Sequence, residues 1–294
     1  MNYFVPWGIA LCLCFFVLPA QTTPDSLARK NTALASTAPI SSAEPLRLEN
    51  QSFFSAFLHD EGEIWSSPFR ISRDQAEVWG GVTLATALVI TVDEPISRDV
   101  YRFRNEHLWV QTVSPIATQF GQFYVPYSIA VLSCLDGVAF NDDERLETGL
   151  LEVQAMFHSG IVVQVLKHLF GRSRPFIDNG KSIWYGPRVI IKRYEGGGFS
   201  PYDSFPSGHT ITAFSLAEVI AERERPWVGV VAYTCAGLCG ISRLTQHDHF
   251  LSDVVLGGAL GVAIGKFEVE SHEKNYTISP TVGLGSAGVS IQFN

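Results

Sequence analysis

The sequence predicts an all-α fold, in which a bundle of six helices follows short amphipathic helices and precedes a small C-terminal β-hairpin. Two observations predict the bundle. Apolar residues make up 46% of the 294 residues and charged residues only 17%, whereas a soluble protein has about 25% charged residues. Apolar segments of helical length also alternate with breaks at Pro95, Pro175 and Pro226, and no long strand pattern interrupts them.

The first fifty residues are predicted to lie outside this bundle. Residues 4–18 form an apolar run of the length of a signal peptide, followed by Pro19 and Ala20. Residues 1–20 are therefore interpreted as a secretory signal peptide or a retained anchor. Residues 21–50 are rich in Ser, Thr, Ala and Pro and lack an apolar period, which is typical of a flexible linker. Both interpretations of the N-terminus place the remaining chain outside the cytoplasm.

The folded domain begins after the linker. Residues 51–75 mix aromatic with acidic side chains, which is typical of short amphipathic helices on a core or at a membrane surface. Residues 76–267 form the main domain, and residues 268–294 form a tail whose alternating pattern around a Gly-Ser turn predicts the hairpin. The six helices of the main domain are predicted at 76–92, 120–137, 146–171, 209–223, 226–241 and 249–267.

Composition also indicates which partners and which solvent, water or lipid, suit the protein. The 21 basic and 29 acidic residues give a net charge of −8, which speaks against a nucleic-acid partner because nucleic-acid-binding proteins present basic surfaces. Gly257, Gly261 and Gly265 place small residues along one face of the last helix, a pattern that favours close packing in membranes. We therefore expect a membrane-embedded bundle. Several segments carry charge and fall short of about 20 apolar residues, so a soluble bundle is the alternative.

Two short blocks of sequence are candidates for binding an anion. Lys167 and Arg174 are seven residues apart, so two helical turns place both cations near one face of a helix. In the run Pro-Ser-Gly-His that ends at His209, Ser207 can cap the following helix, and Gly208 lets free N–H groups approach a ligand. Each block alone also has an ordinary structural explanation, as cations at a helix end or as a capped helix start.

A third block, Ser-Arg-x5-His-x3-Asp, combines a cation with a candidate catalytic pair. Arg243 has the planar fork that suits phosphate oxygens. His249 and Asp253 are four residues apart, so on one helix they would share a face, and the carboxylate could fix the tautomer of the imidazole. Together the three blocks specify eleven residues in one order, which chance produces about once in a million sequences or less. They indicate an oxyanion site with a histidine nucleophile.

The three blocks resemble the signature of the type 2 phosphatidic acid phosphatase (PAP2) superfamily, which also contains bacterial class A acid phosphatases and vanadium-dependent haloperoxidases. The resemblance covers residues 167–253 by motif without a substitution, and the helical layout extends it over 76–267. It implies a metal-independent phosphatase that hydrolyses a lipid phosphate or diphosphate through a phosphohistidine. The site would face the periplasm or the cell exterior.

The resemblance also implies a role for each matching residue. His249 would be the nucleophile, Asp253 would orient it, and His209 would protonate the leaving oxygen and then activate water. The resemblance implies no metal and no other cofactor. The phosphate oxygens would be bound by Lys167, Arg174, Ser207, Gly208 and Arg243.

Two other activities are compatible with the same residues. A soluble periplasmic acid phosphatase of broad specificity would be released from cells without detergent. A vanadate-dependent haloperoxidase would oxidise halide with peroxide once vanadate is bound. Residues 176–205 form a loop that is long enough to be a lid or a headgroup-binding segment, or else a solvated basic loop. The neighbouring His247 and Asp248 are expected to have structural roles.

Overall fold

The computed structural model describes residues 53–177, 179–189, 200–283 and 286–293. The signal peptide or anchor predicted at 1–20 and the linker predicted at 21–50 lie outside these residues and stay predictions. The chain divides into two units, and the description that follows concerns the second, Asn50–Asn294.

The described part of the chain contains nine α-helices and a two-stranded sheet. The helices are α1 (Phe53–Ser66), α2 (Arg73–Ile90), α3 (Asp93–Glu106), α4 (Leu108–Thr118), α5 (Tyr124–Phe140), α6 (Asp143–Phe170), α7 (Gly208–Arg223), α8 (Pro226–Thr245) and α9 (Leu251–Asn275). The strands β1 (Tyr276–Gly283) and β2 (Ser286–Phe293) pair antiparallel, with Tyr276 opposite Phe293. Short 3-10 turns lie at Ser67–Phe69, Gln119–Gly121, Gly186–Arg188 and Ser200–Tyr202.

The all-α class is confirmed, but the predicted count of six helices is wrong for the described residues. Helices α3 and α4 occupy residues 93–118, where no helix is predicted between the segments 76–92 and 120–137. Pro95 does not break the chain, because it lies in the first turn of α3, where backbone N–H groups have no partner within the helix. Helix α1 lies within 51–75, where short amphipathic helices are predicted.

Helix α7 lies at the centre of the bundle, in contact with α6, α8 and α9. Helix α9 approaches it through Gly257, Gly261 and Gly265. A Cβ atom at Gly257 would lie 2.9 Å from the carbonyl oxygen of Ser207, and one at Gly265 would lie 2.7 Å from the Cβ of Glu218. The small-residue face that the sequence predicts is therefore the contact that lets α7 and α9 pack backbone to backbone.

Helix α8 exposes large apolar side chains and buries small residues. Val230 is 67% exposed and Ile241 is 57% exposed, whereas Gly229, Ala236 and Gly240 are buried. A helix of a water-soluble bundle shows the reverse order. Helices α6 and α8 are each long and apolar enough to cross a membrane. If the bent pairs α2–α3 and α4–α5 each count as one span, the described residues hold up to four crossings.

Candidate active site

The three sequence blocks meet at one end of the bundle. Lys167 lies in the last turn of α6 and Arg243 in the last turn of α8, whereas His209 and Asp253 lie in the first turns of α7 and α9. A Cβ atom at Gly208 would lie only 3.5 Å from the Nζ of Lys167, so the end of α6 faces the start of α7. The topology thus brings together residues from blocks that are far apart in sequence.

His249 precedes α9 instead of lying on it. The helix begins at Leu251, so the predicted start at 249 and the predicted helix face shared by His249 and Asp253 are wrong. The physical reason is a cap: Oδ2 of Asp253 accepts the backbone N–H of Phe250 at 2.8 Å, as the acidic residue of a capping box does. The histidine therefore meets the aspartate across a loop–helix junction.

The imidazole of His249 is almost fully buried, and its Nδ1 side is held by two acceptors. Nδ1 lies 2.7 Å from the carbonyl oxygen of Ser204 and 3.4 Å from Oδ2 of Asp253. A carbonyl oxygen can only accept a hydrogen bond, so the ring proton is on Nδ1. The lone pair is then on Nε2, which is the nitrogen available to attack an electrophile.

Asp253 is fully buried among hydrogen-bond donors. Ser204 donates its hydroxyl to Oδ2 at 2.5 Å, and Arg172 donates from Nη1 to Oδ1 at 2.5 Å. Ser204 thus contacts both members of the His249–Asp253 pair, by its carbonyl oxygen and by its hydroxyl. These contacts fix the carboxylate on the side of the ring that carries the proton.

Arg172 is fully buried behind the pair and joins three parts of the chain. Its guanidinium donates to Asp253, to Oδ2 of Asp93 at 2.7 Å and to the hydroxyl of Ser252 at 2.7 Å. The same group lies 4.1 Å from the centroid of the Phe250 ring, a cation–π contact. Because Asp93 begins α3, Arg172 ties the start of α3 to the start of α9 at the site.

The three predicted phosphate-binding cations form an alternating chain with two acids. Asp203 lies between Lys167 and Arg174, 3.5 Å from Nζ and 2.9 Å from Nε. Asp248 lies between Arg174 and Arg243, 3.9 Å from Nη1 of the first and 2.5 Å from Nη2 of the second. Asp248 therefore belongs to the charge network of the site.

The cations act electrostatically on both histidines. Burial, followed by the charges of Arg174, Arg243 and Lys167, holds the pKa of His249 well below its ordinary value of 6.5. Burial and the same three cations lower the pKa of His209 to about 3. Burial alone would raise the pKa of Asp203, but Lys167 and Arg174 outweigh it and keep that pKa below its ordinary value. Both imidazoles are therefore neutral in the site without substrate, and the surroundings are strongly positive.

The start of α7 offers free backbone donors beside these charges. Ser207 is the N-cap residue, but its side chain makes no capping hydrogen bond, contrary to the expected capping role. Its hydroxyl instead accepts from Thr210 at 2.8 Å, which leaves the first N–H groups of α7 for an anion. The Nε2 of His209 lies 2.5 Å from Oε1 of Gln122, so the turn before α5 holds this second imidazole.

Five residues that the sequence analysis did not assign to the site contact the predicted ones. Two of them lie inside the first and third blocks and two lie just before the second, so a polar residue in or beside a block was the available signal; the fifth comes from a distant turn and has no such signal. In that order they are Arg172, Asp248, Asp203, Ser204 and Gln122. Among the described residues, no group of three or more His, Cys, Asp or Glu could hold a metal ion.

The chain is similar to known lipid phosphatases. A lipid A 1-phosphatase from Porphyromonas gingivalis is 42% identical over 88 residues, which are 28% of this chain and 20% of that protein. A phosphatidylglycerophosphatase B from Bacillus subtilis is 26% identical over 191 residues, which are 61% of this chain and 82% of that protein. The crystal structure of a transmembrane PAP2-type phosphatidylglycerolphosphate phosphatase from B. subtilis aligns with 75% of this chain and 94% of its own, at a TM-score of 0.48 and 22% identity. The match to the P. gingivalis protein spans only about a fifth of that protein's length.

A family profile matches the part of the chain that builds the site. Residues 150–276 match the family described as the PAP2 superfamily. All three blocks, from Lys167 to Asp253, lie inside this range. The signature residues of the blocks also surround one pair of imidazoles in the folded protein. Residues 150–276 of this chain are thus similar to the PAP2 superfamily.

Proposed function

We propose that this protein is a phosphatase that hydrolyses a lipid phosphate or diphosphate through a phosphohistidine on His249. One observation carries the proposal. The unprotonated Nε2 of a buried histidine lies among three cations, and Nδ1 of the same ring is held by Ser204 and Asp253. A neutral imidazole nucleophile beside a concentrated positive charge suits attack on the phosphorus atom of a phosphate whose oxygens carry two negative charges.

In the first step the substrate phosphate binds between the cations. Its oxygens replace the carboxylates of Asp203 and Asp248 as partners of the cations, and accept from the N–H groups at the start of α7. Nε2 of His249 attacks the phosphorus atom and the bond to the lipid oxygen breaks. His209 gives its proton to that oxygen. The negative charge of the bound phosphate raises the pKa of His209, which the cations lower in the empty site, so the acid becomes protonated as substrate binds.

In the second step water releases the phosphate. His209 takes a proton from the water as its oxygen attacks phosphorus, and the bond between phosphorus and Nε2 breaks. The imidazole ring carries a positive charge while it is phosphorylated. The carbonyl oxygen of Ser204 and the carboxylate of Asp253 lie on its Nδ1 side and stabilise that charge. Arg172 positions Asp253 for this task without touching the substrate.

The lipid nature of the substrate is supported by the outer surface of the bundle. Helix α8 turns its large apolar side chains outward and packs small residues inward, as a helix surrounded by lipid does. The charged site lies at one end of the same helices, where an aqueous phase can deliver water and remove phosphate. The names of the relatives, which describe phosphatases of lipid A and of phosphatidylglycerol phosphate, support the same class. We propose that the site faces the periplasm or the cell exterior.

The test measures phosphate release by the detergent-purified protein in EDTA. The substrates are phosphatidate, phosphatidylglycerol phosphate, a polyprenyl diphosphate and a soluble aryl phosphate. We expect His249→Ala to lose activity by about 10³-fold or more. His59→Ala, which removes a histidine of α1 whose side chain is 56% exposed, serves as the matched control. Unchanged release by His249→Ala would reject the nucleophile, and a wild-type preference for the aryl phosphate would favour a broad acid phosphatase.

Trapping the intermediate tests the covalent step separately. Labelled substrate is mixed with enzyme and quenched in alkali, because phosphohistidine survives base and is lost in acid. We expect label on wild-type protein and none on His249→Ala. Stable label that persists in acid would point to a different phosphorylated residue.

A further inference from the structure

A groove with a volume of about 680 Å³ opens beside the site, along helix α3. Arg98, Tyr101 and Arg102 line it from one face of that helix, since positions three and four apart lie together on a helix. Pro175 and His247 line the opposite wall.

The groove shares its wall with the active site. Pro175 follows the phosphate-binding Arg174 directly, and His247 precedes Asp248 by one residue. The ring of His247 stacks on that of Tyr101 with 4.3 Å between centroids, and its Nδ1 lies 3.3 Å from the hydroxyl of Ser97. Two residues of the groove wall thus adjoin members of the charge network, Arg174 and Asp248.

The charges that line the groove favour an anion. Arg98 lines the groove and has no hydrogen bond or ion pair with any of the described residues. Within the described part of the chain Arg102 has one ion pair, at 3.7 Å with Asp99, and both side chains are at least 70% exposed. Exposed pairs of this kind are weak and exchange easily. Glu106 also lines the groove, so two guanidinium groups face one carboxylate.

We propose that this groove is a headgroup subsite, in which Arg98 and Arg102 bind a second anionic group of the substrate, a phosphate or a carboxylate, beyond the phosphate that is hydrolysed. The proposal rests on the proposed phosphatase function and specifies its substrate as a headgroup with at least two anionic groups. Guanidinium forks bind such groups by paired, charge-assisted hydrogen bonds. The stacked rings of Tyr101 and His247 form the wall against which the part of the headgroup between the two anions lies.

The test compares two soluble probes that differ by one phosphate, glucose 1-phosphate and glucose 1,6-bisphosphate. We expect Arg98→Gln and Arg102→Gln each to raise the KM for the bisphosphate about tenfold. This fold-change should be at least five times the fold-change in the KM for the monophosphate. Arg225→Gln removes an equal charge at the N-cap of α8, at the other end of that helix from Arg243, and should not change the ratio of the two KM values. Equal changes for both probes would overturn the subsite, because they would show a general effect of charge.

A binding measurement separates the subsite from catalysis. Calorimetry on His249→Ala, in which turnover is expected to be slow enough for binding to be measured, should show tighter binding of the bisphosphate than of the monophosphate. Arg98→Gln in that background should remove the difference and leave the affinity for inorganic phosphate within twofold. If Arg98→Gln weakened the binding of inorganic phosphate as much as that of the bisphosphate, the groove would hold free phosphate. That result would overturn the headgroup subsite. A wild type without phosphatase activity that still binds the bisphosphate preferentially would reject the catalytic proposal alone.

Discussion

At the site end of the bundle the buried groups are charged, whereas along the outer face of α8 the exposed groups are apolar. Arg172 and Asp253 are fully buried, while Val230 and Leu238 are 67% and 44% exposed. Both regions depart from the pattern of a water-soluble protein, in opposite directions. A bundle in lipid with an anion site at its aqueous end explains both departures together.

The buried charges and the exposed apolar side chains are tolerated for different physical reasons. A buried charge is tolerated only when its partners satisfy it, because the desolvation of an ion costs several kcal/mol. Arg172 meets this condition with Asp93, Asp253, Ser182 and Ser252. An outward apolar side chain that lies in lipid would need no partner in the protein. Removing the partner of a buried charge should therefore lower folding stability, whereas adding a charge to the outer apolar face should impair insertion into the membrane.

The largest effect is expected at the buried charge. Arg172→Gln leaves Asp93 and Asp253 without a buried counter-charge, which costs about 3–5 kcal/mol of folding free energy. Thermal unfolding in detergent measures the loss, and Arg73→Gln, at an exposed position of α2, is the control. Arg172→Lys keeps the charge but not the planar fork, so it should recover stability while kcat stays low. Recovery of both would show that Arg172 has no positioning role.

A charge on the outer face should have a comparable effect through the membrane. Leu238→Lys places a cation midway along α8, where lipid would surround it, at a cost of about 2.5–3.5 kcal/mol. We expect loss of membrane-inserted protein on fractionation. Leu238→Ala removes the same apolar side chain without adding charge and should insert normally. If Leu238→Lys were released as active protein without detergent, the soluble alternative would be favoured over the membrane-embedded bundle.

A smaller loss of stability is expected where α9 packs on α7. Gly261→Ala places a Cβ atom 2.8 Å from the Cβ of Phe214, and overpacking of this kind costs about 1–3 kcal/mol. Gly237→Ala on α8 is the matched control, because a Cβ atom there has no neighbour within 4 Å. The control should unfold at an equal or higher temperature. Equal loss in both variants would mean that the α7–α9 contact is not the cause.

The smallest effect is expected in the pH dependence of kcat/KM. Arg174 is one of the cations that lower the pKa of His249. Its removal in Arg174→Gln makes a protonated imidazole less unfavourable, so the pKa of His249 rises. The nucleophile must be neutral, so the acid limb of kcat/KM should move to higher pH. Arg225→Gln should leave the limb in place. A shift to lower pH in Arg174→Gln would contradict the role of Arg174.

The residues of the blocks could be predicted from the sequence because phosphate chemistry demands particular side chains at fixed spacings. Lys167, Arg174, Arg243 and the two histidines come together as expected. The helix that begins at Leu251 was misplaced, because the cap formed by Asp253 competes with the helical period. Helix α3 was missed because its residues are mostly polar, whereas the predicted helices were recognised by their apolar segments.

The sequence by itself determined the superfamily signature, the helical class and the small-residue face of α9, since each is a local pattern of residue types. The tertiary structure decided which nitrogen of His249 is free, because Ser204 accepts the proton of Nδ1 from 45 residues away. It also decided that Arg172 supports Asp253 and that α3 lines a groove beside the site. Such contacts join residues without a fixed spacing, and only the packing of the helices brings them within hydrogen-bond distance.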